Sequence, residues 1–130
     1  MMDIHLLEHV NIHSSQTELL SAWYMRVLGL KPGYRPPFSS NGAWLYAGDV
    51  PMVHLLEVAD QPHARTTQIE HFPFRPTGLE SFLKRLEENN TAYTTVRVPE
   101  LRIYQIHLSD PEGNHMHIDF PPEEADELGL

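Results

Sequence analysis

The chain has 130 residues, enough for one compact domain with a sizeable core and too few for two ordinary independent domains. Its formal charge of −9 excludes a sequence-independent grip on nucleic acid or on an anionic membrane, because both need clustered Lys and Arg. The absence of Cys removes disulfide scaffolds, thiolate metal sites and cysteine nucleophiles together, so any metal must sit on nitrogen and oxygen.

The amino terminus lacks a basic segment followed by a long apolar run, and no stretch approaches the ~18 apolar residues of a membrane span, so a cytoplasmic location is expected. Residues 4–13 alternate as a strand does: Ile4, Leu6, Val10 and Ile12 face one side, His5, His9, Asn11 and His13 the other. Ser15-Gln16-Thr17-Glu18 has the form of a capping box, and Leu19, Leu20, Trp23, Val27 and Leu28 follow at helical spacing, with Gly29 as the stop. Trp23 and Tyr24 fall at packing positions.

Residues 31–51 are broken by Pro-Gly, Pro-Pro, Asn-Gly and Gly-Asp turn signals, leaving 43–47 and 52–58 as extended pieces of a meander. A polar stretch at 59–67 without periodicity is expected to be a linker. Residues 69–74 again suit a strand, and Thr77-Gly78-Leu79-Glu80 again has the capping-box form, opening a helix with Leu79, Phe82, Leu83 and Leu86 inward and Asn89-Asn90 at its end. Strands at 92–98 and 102–108, an Asp110-Pro111-Glu112-Gly113-Asn114 turn and a strand at 115–120 follow. The acidic tail at 121–130 is open between a loose end and a short helix.

The two halves repeat. His9 and His71, Ser15 and Thr77, and Glu18 and Glu80 are each 62 residues apart, while His54 and His117 are 63 apart. Each half reads β-α-β-β-β, with one His on its first strand facing away from the helix and another on its last. Two copies of a unit this long denote a duplicated supersecondary module. The expected fold is α+β: two tandem βαβββ modules, about 4–58 and 68–120, forming a curved, barrel-like mixed sheet around one cavity with the helices outside, as a single domain.

The segments Leu7-Glu8-His9-Val10-Asn11-Ile12, Ala22-Trp23-Tyr24-Met25-Arg26-Val27-Leu28-Gly29-Leu30, Ile69-Glu70-His71-Phe72-Pro73-Phe74 and Asp110-Pro111-Glu112-Gly113-Asn114-His115-Met116-His117-Ile118 resemble the vicinal oxygen chelate superfamily, which includes glyoxalase I, extradiol dioxygenases and bleomycin-binding proteins. The second and fourth segments are the most specific, and they speak to fold more than to chemistry. In that family the metal ligands come from the first and last strands of each module. Carried over, the resemblance implies His9 and His71 from first strands and His54 and His117 from last strands. The usual pattern has Glu at the position of His117, and glyoxalase I members have it at both last-strand positions; this chain has His at both.

Imidazole suits Zn²⁺, Fe²⁺ and Ni²⁺ better than Mg²⁺ or Ca²⁺, so a divalent transition metal is the expected cofactor. An ion held only by neutral imidazoles keeps its full charge and favours an anionic, oxygen-bearing small substrate. Asp119, two residues after His117 and on the same strand face, is the candidate for the general base that a ligating Glu would otherwise supply. Three ligands (His9, His71 and His117) and four are equally compatible. His5, His13, His63, His107 and His115 read as ordinary polar residues, with His107, Tyr104 and Arg102 candidates for lining the cavity. Two functions stay open: a metal-dependent lyase, isomerase or dioxygenase, and a non-catalytic drug- or metabolite-binding protein of the same fold. A homodimer is implied by resemblance alone.

Overall fold

The structure, a computed structural model, describes residues 2–3, 6–60 and 71–130. The expectations for Ile4, His5, His63, Ile69, Glu70 and most of the linker lie outside the described residues. The chain divides into two compact units that follow its two halves, except that Arg26–Leu28 group with the second.

In the first unit, β1 (Val10–Ser14) leads to α1 (Thr17–Leu28), then to β2 (Lys31–Pro32), β3 (Gly42–Ala47) and β4 (Val50–Glu57). The four strands order as β1-β4-β3-β2, with β1 parallel to β4 and the other pairs antiparallel. Val10 pairs with Val53 and Ile12 with Leu55, and together with Leu45 they carry the apolar face; Val53, Leu55 and Leu45 are fully buried. The alternate positions, Asn11, Trp44 and His54, form the other face. α1 buries Leu20, Trp23, Tyr24 and Val27, the stripe its spacing predicts. Gly29 adopts the left-handed conformation (φ 71°) that ends the helix, as expected of a residue without Cβ. Gly42 is fixed by proximity: a Cβ there would lie 2.1 Å from the Leu55 carbonyl oxygen.

The second unit repeats this plan. β5 (His71–Phe74), α2 (Leu79–Glu88), β6 (Thr94–Val98), β7 (Ile103–Ser109) and β8 (His115–Phe120) give a sheet of order β5-β8-β7-β6, again with only the first pair parallel. A 3-10 turn, Pro99–Leu101, joins β6 to β7. Met116, Ile118 and Phe120 are buried on one face of β8, where Phe120 meets Phe82 of α2 at a ring distance of 5.6 Å. His115, His117 and Asp119 therefore occupy the face turned away from the helix. The acidic tail forms α3 (Pro122–Glu127), resolving that alternative in favour of a short helix.

Neither helix has its cap residue where the capping boxes expect it. α1 begins at Thr17 with Gln16 at the cap position, and the Ser14 hydroxyl accepts the Gln16 N–H at 2.8 Å. α2 is preceded by Gly78 in a left-handed conformation, which has no side chain to cap with. Its first amides are satisfied from a distant part of the sequence: Glu124 Oε2 accepts from the N–H groups of Gly78 and Leu79 at 2.9 and 2.6 Å. No helix is long and apolar enough to cross a membrane, among the described residues.

Candidate functional site

The two modules place equivalent residues on equivalent rows of their sheets. In the first, His54 on β4 pairs with Trp44 on β3, and His9 immediately precedes β1. In the second, His117 on β8 pairs with His107 on β7, and His71 opens β5. Thus His9, Trp44 and His54 answer to His71, His107 and His117. The next rows differ: Met52, Leu56 and Gly42 in the first module stand where the second has His115, Asp119 and Gln105. A shared scaffold carries an aromatic face in one copy and an imidazole-rich, hydrogen-bonded face in the other.

In the first module the three rings stack in a column. His9 lies 3.8 Å from His54 at an interplanar angle of 10°, and His54 lies 4.0 Å from Trp44 at 13°. His54 is 6% exposed, and its Nε2 donates to the Pro51 carbonyl at 3.0 Å, so the lone pair of the neutral ring is on Nδ1. Burial holds the His54 pKa below its ordinary value; the neighbouring His9 acts in the same direction, while the Pro51 hydrogen bond opposes both. A metal lies in the plane of an imidazole that binds it. Two nearly parallel rings at stacking distance do not aim at one ion, so His9 and His54 stand here as a stack rather than as a ligand pair.

The second module gathers four imidazoles. His71 is 4.8 Å from His117 and 5.4 Å from His115, ring centre to ring centre, and His107 is 5.1 Å from His117 and 5.3 Å from His115. His117 and Asp119 are 8% and 5% exposed. The His117 Nδ1–H donates to Asp119 Oδ1 at 2.6 Å, a contact that prevails over the looser 3.3 Å approach of the Gln105 amide nitrogen to the same atom. The lone pair of His117 is therefore on Nε2. On the other side, His107 Nε2 donates to Gln105 Oε1 at 3.1 Å, which leaves His107 Nδ1 to accept from His115 Nε2 at 3.0 Å. Burial lowers the His107 pKa, as do the imidazoles of His117 and His115, with Asp119 opposing; the neutral form that this network requires is the favoured one.

The turn before β8 sets the register of this cluster. Asp110, 4% exposed, accepts from the backbone N–H groups of Glu112 and Asn114 and from the Asn114 side chain, at 2.7–2.9 Å. Gly113 takes the left-handed φ of 84° that this turn needs. The Asp-Pro-x-Gly-Asn motif thus acts by fixing where β8 begins.

The five residues named from the sequence fall into two groups. His9 and His54 are together in the first module; His71, His117 and Asp119 are together in the second. Sequence reasoning passed over His115, Gln105 and Trp44, although strand parity places His115 on the same face as His117 and Asp119. Of the three cavity candidates, only His107 lies on that face. Tyr104 has the opposite parity, is buried and pairs with Phe120, while Arg102 is directed to Glu123 at 3.0 Å. Among the described residues, no group of three or more His, Asp or Glu side chains is placed so that it could hold a metal ion.

Solved structures resemble this chain over nearly its whole length. A glyoxylase/bleomycin resistance protein/dioxygenase domain from Frankia sp. EAN1pec matches at 16% identity and a TM-score of 0.75, covering 92% of this chain and 93% of the other. An antibiotic binding protein, TnmS3, from Streptomyces sp. CB03234 matches at 19% and 0.69, covering 93% and 99%. A lactoylglutathione lyase from Agrobacterium tumefaciens matches at 17% and 0.64, covering 92% and 96%. No protein-family model and no curated protein matches the sequence. The chain has the fold of the glyoxalase/bleomycin resistance/dioxygenase proteins, the vicinal oxygen chelate fold that its sequence resembles. At these identities the likeness is one of fold.

Proposed function

We propose that the chain is a metal-dependent enzyme acting on a small, oxygen-bearing, anionic substrate, by lyase, isomerase or dioxygenase chemistry. In this reading a divalent transition metal such as Zn²⁺, Fe²⁺ or Ni²⁺ is held by imidazoles, with His71 and His117 of the second module the foremost of the four candidates. The observation that carries it is the Asp119–His117 pair. A carboxylate on one ring nitrogen is the arrangement that orients a histidine ligand and raises its basicity, and it leaves Nε2 for the ion. The donors are all imidazole nitrogen, which fits these metals and not Mg²⁺ or Ca²⁺. When bound, such an ion supplies Lewis acidity to substrate oxygen.

The chain's own residues then have distinct tasks. Asp119 holds the His117 ring and keeps its Nδ1 protonated, serving as the buried acid–base group nearest the site. A second reading, a non-catalytic binder of a drug or metabolite, has the aromatic column of the first module in its favour, and TnmS3 is described as an antibiotic binding protein. Elemental analysis of untagged protein separates the two. The enzyme reading expects about one transition-metal ion per chain, lost in His71→Ala and His117→Ala; wild-type protein that takes up no metal contradicts it and leaves the binder.

A further inference from the structure

The loop between β2 and β3 is tied down at both ends. The Gly33 N–H donates to the Trp44 carbonyl at 3.2 Å, and the Tyr46 hydroxyl to the Tyr34 carbonyl at 2.6 Å. At the other end the Glu57 N–H donates to the Asn41 carbonyl, and the Asn41 side-chain amide to the Glu57 carboxylate, both at 2.9 Å. Between these ties the loop brings Arg35 and Phe38 to Trp44. Arg35 Cζ lies 4.9 Å from the Phe38 ring centre, and the Phe38 ring lies 6.2 Å from that of Trp44. Phe38 is 53% exposed and meets Trp44 at 48° rather than in a stack, so the two rings bound a wedge.

The half-buried Arg35 is held by the loop and not by an acid. Its Nη1 donates to the Ser40 carbonyl at 2.8 Å and its Nη2 to the Ser40 hydroxyl at 3.3 Å, whereas Nε is buried and, among the described residues, has no acceptor. Lys84, Arg97 and Arg102 each meet a carboxylate. Arg35 meets none among the described residues, although the chain has 18 acidic side chains against 9 basic ones. A guanidinium partly withdrawn from water with an unsatisfied N–H is costly until a counter-charge arrives. Gly42 leaves room beside it, since a Cβ there would lie 3.1 Å from Nη2. Nε and Nη2 form one edge of the guanidinium fork, which matches both oxygens of a carboxylate. The charge also reaches the aromatic column: after burial and His9, Arg35 is a further influence holding the His54 pKa down.

We infer that Arg35, Phe38 and Trp44 form a binding site, within the first module, for a planar carboxylate, that is, an aromatic or conjugated acid. The carboxylate pairs with the Nε–Nη2 edge of Arg35, and the flat body enters the wedge as the exposed Phe38 ring swings outward. This rests on the reading above that the ligand is a small oxygen-bearing anion, and it names the class of that anion. It uses none of the four imidazoles offered for a metal.

The test is calorimetric titration of chelator-treated full-length chain with cinnamate, with cinnamamide, which keeps the shape without the charge, and with cyclohexanecarboxylate, which keeps the charge without the flat ring. The variants are Arg35→Gln, Arg35→Lys and Phe38→Leu, with thermal unfolding as the check on folding. Cinnamate is expected to bind the wild type more tightly than either control does. Arg35→Gln should lower cinnamate affinity by about 10- to 100-fold and leave cinnamamide unchanged, whereas a merely structural Arg35 would lose both alike. Arg35→Lys should recover part of the loss, because it keeps the charge without the fork. Phe38→Leu should weaken cinnamate and cinnamamide alike, by about 3- to 10-fold; at its exposed position it reads the wedge even where Arg35→Gln impairs folding. Failure of cinnamate to bind the wild type, equal binding of either control, or wild-type cinnamate affinity in Arg35→Gln overturns the inference. Titration of Zn²⁺ into the same wild-type chain reads the broader proposal separately. Metal uptake without cinnamate binding removes this site and leaves the metal enzyme standing; cinnamate binding without metal uptake does the reverse.

Discussion

Asp119 and His115 both sit two residues from His117 and share its face, yet Asp119 accepts the His117 Nδ1–H while His115 meets the ring of His107. If Asp119 acts through His117, Asp119→Asn, which cannot accept the Nδ1–H as strongly, will weaken metal binding by about 10- to 100-fold while the folded protein persists. Equilibrium titration checks this, and unchanged affinity would remove Asp119 from the site. Strand parity places both Asp119 and His115 on the face of His117 from the sequence alone, whereas recurrence between the halves does not reach His115, because Met52 stands at the equivalent position.

At the level of elements, periodicity found both long helices, and alternation found the later strands and the two-faced character of β8. Helix starts were less legible because their caps are not local. Ser15 and Thr77 have the right spacing to Glu18 and Glu80, but Gly78 turns the chain in a left-handed conformation and hands the cap of α2 to Glu124 on α3. No local pattern records a contact between residues 46 positions apart. Glu124→Ala should therefore destabilise the second unit by about 1–2 kcal/mol, the usual worth of a helix cap, as measured by urea unfolding. Thr77→Ala should leave stability nearly unchanged. The reverse ranking would restore the capping box.

For the whole molecule, the duplication gives a tandem fold whose copies share rows but not roles, one lined by a Trp–His stack and the other by a supported imidazole cluster. Its acid stability should reflect this. Folding holds His54 and His107 below their ordinary pKa of 6.5, so below that value the unfolded chain binds more protons than the folded one and stability falls as pH falls. In chelator-treated protein, Tm should rise from about pH 5.5 to about pH 7.5, and less steeply in His107→Gln; a Tm that falls over this interval has the wrong sign. The most direct test of the central claim, that imidazoles of this fold hold a transition metal, is X-ray absorption at the Zn edge of zinc-loaded chain. A shell of three or more nitrogens at about 2.0–2.1 Å with outer-ring imidazole scattering is predicted. An oxygen shell without imidazole scattering would contradict it.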